Sequence, residues 1–86
     1  MIRVLYKSSF IRDYDDLSEA LREEIREKIA LFKSNPRQQS LRVQELKGHL
    51  QGRFSFSVNY SHRIVFCYEG KNTVALLAVG GHEVYQ

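Results

Sequence analysis

The residues with chemical potential gather in the second part of the chain: Glu45 and Lys47 ahead of Gly48, then His49, Arg53, the pair His62-Arg63, and a tail Gly80-Gly81-His82-Glu83-Val84-Tyr85-Gln86. Together they match what RNA cleavage without a metal requires. A base must take the proton of a 2′-hydroxyl, an acid must protonate the departing 5′-oxygen, and cations must neutralise a crowded, phosphorane-like transition state. Histidine, tyrosine or glutamate can move the protons, and arginine and lysine can carry the charge. Each residue also has an ordinary reading. Arg63 can be a surface cation at the start of a strand, His62 a turn residue, and the tail a frayed end.

Other chemistries lack their signatures. There is no phosphate-cradling GxxxxGK, no dinucleotide GxGxxG, no HExxH and no nucleophile elbow. His49, His62 and His82 are thirteen and twenty residues apart, without the carboxylate pattern of a metal site. Neither a metal nor a cofactor is called for. Cys67 lies in an apolar run and reads as a small core residue. As the only cysteine it leaves no intramolecular disulfide, which fits a reducing cytoplasm.

The elements that must position these groups can be read from periodicity. Residues 2–7, IRVLYK, alternate with period two and form a strand. Ser8 and Ser9 are candidate N-caps for a short helix through about Leu17, with Phe10, Ile11, Tyr14 and Leu17 at helical spacing. Asp15, Asp16 and Ser18 interrupt and recap. Leu21, Ile25, Ile29 and Phe32 then mark an amphipathic helix to about Ser34, which Asn35-Pro36 ends. Residues 37–52 are polar and irregular. Residues 53–60 alternate, with Phe54, Phe56, Val58 and Tyr60 on one side and Ser55, Ser57 and Asn59 on the other. Residues 63–69 form a more continuously apolar central strand, and Gly70-Lys71-Asn72 turns the chain into a last strand, TVALLAV. The fold class is therefore α+β: an N-terminal strand, a two-helix hairpin, then an antiparallel meander.

The expected register follows from collecting like side chains. A three-residue loop, Ser61-His62-Arg63, pairs Tyr60 with Ile64, Val58 with Phe66 and Phe56 with Tyr68, which gives the helices an aromatic face. Ser55, Ser57, Asn59 and Arg63 then share the opposite face, where a cation beside hydroxyls can meet a ligand.

Length and charge bound the reading further. Eighty-six residues, 43% hydrophobic, suit one domain over residues 1–86. No apolar run approaches the roughly 18 residues of a membrane span, and the first residues do not read as a signal peptide, so a cytoplasmic location without membrane association is expected. The net charge of +3 is unevenly placed. Up to Pro36, seven basic side chains balance seven acidic ones, whereas residues 37–86 carry six basic against three acidic, together with all three histidines. A polyanionic partner such as nucleic acid is compatible with this surplus.

Two segments carry a resemblance. Leu46-Lys47-Gly48 with Gly52 four residues later, and His62-Arg63-Ile64-Val65-Phe66, resemble the LKG-x-x-x-G and H/Y-R-φ-V-Y elements of the RelE/ParE superfamily of bacterial toxin–antitoxin toxins. The similarity extends over almost the whole chain, through SHRIVFCYEG to the closing LLAVGGHEVY. It implies a toxin of the RelE/YoeB/YafQ branch: a ribosome-dependent mRNA endoribonuclease, metal-independent, leaving a 2′,3′-cyclic phosphate. The resemblance matches Arg63 to the arginine that contacts the scissile phosphate, and His82 to a C-terminal acid or base. Tyr85 corresponds to the terminal tyrosine, and Lys47, His49, Arg53, Ser57 and His62 fall at RNA-contacting positions.

The sequence also departs from the pattern. Ser57 stands where YafQ-like toxins carry a histidine, and Ser55 and Ser57 replace the lysine-rich strand of RelE. The YoeB-type glutamate aligns with Gln44, with Glu45 adjacent as the candidate. Implied partners are a cognate antitoxin, the ribosome and mRNA, with operator DNA reached only through the antitoxin. Two alternatives share the fold: a ParE-like inhibitor of DNA gyrase, and a catalytically degenerate homologue that binds its antitoxin.

Overall fold

A computed structural model describes residues 1–85. The chain runs β1 (Arg3–Tyr6), α1 (Ser8–Asp15), α2 (Glu19–Ser34), β2 (Gln44–Glu45), β3 (Phe54–Ser57), β4 (Arg63–Gly70) and β5 (Thr73–Gly80), with short 3₁₀ turns at Gln39–Leu41, Gly48–Leu50 and His82–Tyr85. The strands form one sheet in the order β1-β5-β4-β3-β2. β2 to β5 are antiparallel neighbours, and β1 closes the other edge by running parallel to β5, Val4 opposite Val74. The expected α+β order holds, and the sheet is mixed.

Helix α2 forms where its apolar residues recur at three and four. Ile25, Ile29 and Phe32 are buried from it against Phe56, Ile64, Phe66, Val74 and Leu76 of the sheet. Phe32 stacks on Phe56 at 4.5 Å between ring centroids and meets Phe66 edge-on at 5.0 Å. Ser18 caps the helix as expected, its hydroxyl accepting from the Leu21 N–H at 3.3 Å. The cap expected for α1 is absent. Lys7 occupies that position without a side-chain bond, and the Ser9 hydroxyl donates instead to the Leu77 carbonyl at 2.6 Å. That carbonyl is available because β5 bulges there, Val65 facing Ala78 while Phe66 faces Leu76.

The opposite face of the sheet is covered by loop and tail. Leu46, Leu50 and Val65 are buried there, with Val84 and Tyr85 packed on them. The two glycines of the LKGxxxG element make this possible. Gly48 at φ 70° and Gly52 at φ 89° take the left-handed conformation that L side chains disfavour, folding Leu46 and Leu50 back onto the sheet. The Leu46 N–H donates to the Arg53 carbonyl at 2.8 Å and closes the loop.

The β3–β4 register differs from expectation. Phe54 faces Phe66, Phe56 faces Ile64 and Ser57 faces Arg63, so residues 58–62 form the loop and β3 ends before Val58. Asn59 is the cause. Its Oδ1 accepts from the N–H groups of Ser61 and His62, each at 2.8 Å, while the Val58 N–H donates to the His62 carbonyl at 2.9 Å. This side-chain turn stops the ladder early. Because the shift preserves parity, the faces stay as expected for Phe54, Phe56, Ser55, Ser57 and Arg63. Tyr60 instead projects fully into solvent, and Asn59 reaches towards α2, its Nδ2 donating to Glu24 Oε1 at 2.8 Å.

Two smaller differences complete the comparison. The irregular stretch 37–52 contributes β2, whose two residues add an edge to β3. Cys67 is half-buried rather than in the core, and burial first, then Glu69, pushes its thiol pKa up.

Candidate functional site

Arg63 opens β4 on the face opposite the helices, and its guanidinium is held on three sides. Nε donates to Ser55 Oγ at 3.1 Å, Nη1 to Ser57 Oγ at 2.5 Å, and Nη2 to the Arg42 carbonyl at 2.8 Å. A guanidinium has five N–H groups. Three are used in this way, which leaves one on each terminal nitrogen for an anion. The fork is thereby pre-oriented for two phosphate oxygens.

Ser55 links this clamp to the tail. It is fully buried, and its Oγ also accepts the Tyr85 hydroxyl at 3.3 Å. The exposed His82 ring stands edge-on to the Tyr85 ring, with centroids 6.0 Å apart. Pairing of Arg63 with Gly80 brings the tail to this place, since His82 follows two residues later. Gly80 and Gly81 give the tail room to turn. A Cβ on Gly80 would lie 2.6 Å from Glu83 Oε1, and one on Gly81 3.0 Å from Glu83 Oε2. The Glu83 carboxylate curls back onto backbone N–H groups, accepting from Gly81 at 2.9 Å. Those bonds, to its own N–H first and then to that of Gly81, pull its pKa below the ordinary value, with smaller contributions from His62 and His82.

The remaining expected residues divide between grooves. Ser57 and Arg63 line a groove of about 330 Å³ with Lys28, Ser40, Arg42 and Tyr60. Lys47 and His49 line a smaller one of about 240 Å³ with Gln44 and Tyr85. Arg53 stands apart, beside Glu83 and Asp13. His62 is half-buried in the turn, its Nδ1 3.2 Å from Asn59 Oδ1.

Glu45 is not brought to Arg63. It lies opposite Phe54, and directly opposed residues of antiparallel strands share a face, so it falls on the side of the sheet that carries the helices. Gln44, opposite Ser55, is the β2 residue on the Arg63 face. Among the described residues, no group of three or more His, Cys, Asp or Glu is placed to hold a metal ion, and no helix is long and apolar enough to cross a membrane.

Sequence reasoning missed Ser55 as the buried link, and Arg42 and Lys28 as groove cations. Period-two alternation was the available signal for Ser55, since it shares parity with Arg63. Arg42 lies 21 residues from its partner, and nothing local marks it.

Comparison of the whole structure with solved ones decides the fold. A YoeB/ParE toxin from Agrobacterium tumefaciens superposes with a TM-score of 0.76 at 22% identity, over 94% of this chain and 99% of the other. YafQ from Escherichia coli BL21(DE3) gives 0.79 at 11% identity, over 99% and 98%. The chain has the RelE/ParE-type toxin fold. A chain of the YoeB–YefM complex from Staphylococcus aureus shares this fold, with a TM-score of 0.73 at 19% identity over 95% and 98%. No family model matches the chain, and no curated protein matches it in sequence. The toxin fold is thus reached here with few shared residues, and the resemblance of the LKG and HRIVF segments agrees with it.

Proposed function

We propose that the chain is the toxin of a toxin–antitoxin pair and cleaves mRNA on the ribosome. The observation that carries this reading is the Arg63 guanidinium, fixed by Ser55, Ser57 and the Arg42 carbonyl with two N–H groups left to receive a phosphate. The toxin fold of similar structures supports it.

In the proposed reaction the 2′-oxygen forms a bond to phosphorus as its proton passes to a base, and the bond from phosphorus to the 5′-oxygen breaks as that oxygen takes a proton from an acid. The products are a 2′,3′-cyclic phosphate and a 5′-hydroxyl. Arg63 stabilises the charge that develops on the phosphoryl oxygens. His82 serves as acid or base from the exposed end of the tail, and Tyr85 aligns that end through Ser55. Lys47 and His49, beside Tyr85, contact the RNA on one side. Glu45 has no part in this reading, given its place on the other face.

The inhibitor is a cognate antitoxin, as YefM is found with YoeB in the Staphylococcus aureus complex. An apolar groove of about 430 Å³ between the helices, lined by Tyr6, Phe10, Ile11, Tyr14 and Ile29, offers it a seat. Ribosome and message place the action in the cytoplasm.

The test is expression without the antitoxin, with fragment ends mapped on translating ribosomes. Growth arrest, fragments ending in cyclic phosphate, and relief of both by Arg63→Ala and by His82→Gln are expected. Unchanged cleavage in both variants sinks the assignment. DNA damage with intact messages would move the reading to gyrase inhibition, and no arrest at all to a degenerate antitoxin-binding homologue.

A further inference from the structure

Tyr60 is fully exposed at the tip of a turn that is held firmly. Asn59 Oδ1 accepts two backbone N–H groups on the far side of Tyr60, and Asn59 Nδ2 ties the turn to Glu24 of α2. The turn needs Asn59 for its geometry and asks nothing of the tyrosine. A large aromatic ring presented to solvent from a fixed backbone can serve as a stacking surface at little entropic cost.

The groove that starts at this ring runs to Arg63 and is cationic. Lys28 enters from α2 and Arg42 from the segment after Gln39–Leu41, and among the described residues no carboxylate lines it. Arg42 takes the left-handed backbone conformation, φ 49°, rare outside glycine and asparagine. Its carbonyl reaches Arg63 in that conformation, while its side chain lines the groove. Ser40 and Ser57 add hydroxyls.

We infer that this groove is a subsite for single-stranded RNA beside the phosphate at Arg63: Tyr60 stacks one base, and Lys28 and Arg42 take the phosphate that flanks it. The inference rests on the reading of Arg63 as a phosphate clamp and extends it to the neighbouring nucleotide. A polymer that alternates a π-face with a phosphate matches a ring beside paired cations. An acidic peptide answers the cations but makes no use of the ring.

The experiment uses the intact protein and a fluorescent oligouridylate of about eight nucleotides, a length within the site size of such grooves, 2′-O-methylated so that it cannot be cut. Affinity is measured against salt concentration. Tyr60→Ala weakens binding about tenfold, the effect of losing one stacked base, while Tyr60→Phe stays within about twofold. Lys28→Gln and Arg42→Gln each lower the slope of log K against log salt by about 0.7, one phosphate contact on a single strand. Thermal melts check that the variants remain folded. The inference is overturned if Tyr60→Ala and Lys28→Gln bind as the unaltered protein does, if the unaltered protein does not bind the oligonucleotide, or if polyglutamate displaces it as readily as unlabelled RNA. Normal binding by these variants, with cleavage still lost in Arg63→Ala, removes the subsite and leaves the nuclease reading standing. Binding with the expected dependence by a protein that cuts no message retains the subsite and removes the nuclease.

Discussion

Ser55 is the buried acceptor for Arg63: Nε of the guanidinium lies 3.1 Å from an Oγ that has no access to solvent. The same oxygen accepts the Tyr85 hydroxyl, so one serine joins the strand cation to the tail. The orientation of the fork depends on a side chain that no substrate can touch.

Ser55→Ala should therefore slow cleavage while leaving a folded protein. Loss of a hydrogen bond to a charged donor costs about 1–3 kcal/mol, and a clamp displaced by about 1 Å costs about a hundredfold in rate. Single-turnover cleavage on saturated ribosomes separates these effects. A fall in rate with a modest drop in melting temperature is expected, and a rate unchanged from the parent refutes the positioning role. Arg63→Lys should not restore activity to Arg63→Ala, because one ammonium cannot reproduce a fork fixed at three points.

His82→Gln should remove one limb from the pH–rate profile as well as lowering the rate. Measured in single turnover on saturated ribosomes, a profile of unchanged shape at reduced rate would take His82 out of the proton transfers.

Glu83 supplies a prediction with a definite sign. Its folded-state pKa is lowered, chiefly by its own and the Gly81 N–H groups, so its contribution to holding the tail is present above the unfolded value and lost as pH falls through the folded one. The Gly81 amide resonance should accordingly titrate with a midpoint below the ordinary 4.5. Glu83→Gln should abolish that titration. An amide that titrates at or above 4.5 would contradict the bond.

Phe32→Ala tests the core. Phe32 is 1% exposed and joins α2 to β3 and β4 through Phe56 and Phe66. The truncation should cost about 3–5 kcal/mol, a large share of a small domain's stability, read as a lower denaturant midpoint at unchanged slope. A midpoint within error of the parent would mean that this stack does not hold helix to sheet.

The order of elements was legible because it depends on local periodicity. Leu21, Ile25, Ile29 and Phe32 specify a helix whatever they pack against, and Ser18 before Leu21 marks its start. Alternation through Phe54, Ser55, Phe56 and Ser57 likewise assigned faces correctly, because a period of two survives any even shift in pairing. Arg63, His82 and Tyr85 could be named as candidates for the same reason: residue type and order in the chain are local.

What the tertiary structure alone decided are relations between distant segments. Asn59, by bonding to two backbone N–H groups and to Glu24, ended β3 early and turned Tyr60 outwards, where pattern-matching of aromatic side chains had placed it inside. A two-residue strand, Gln44–Glu45, is too short to show a period, yet its register against β3 put Gln44 on the Arg63 face and Glu45 on the other. Arg42 gained its role from a carbonyl carried to Arg63 by a left-handed bend. By itself the sequence determined which groups exist and, within the alternating stretch from Phe54 to Ser57, which faces they occupy, since side-chain alternation is local. Only the fold decided which of them meet, because hydrogen bonds across tens of residues depend on register and loop geometry that no local pattern encodes.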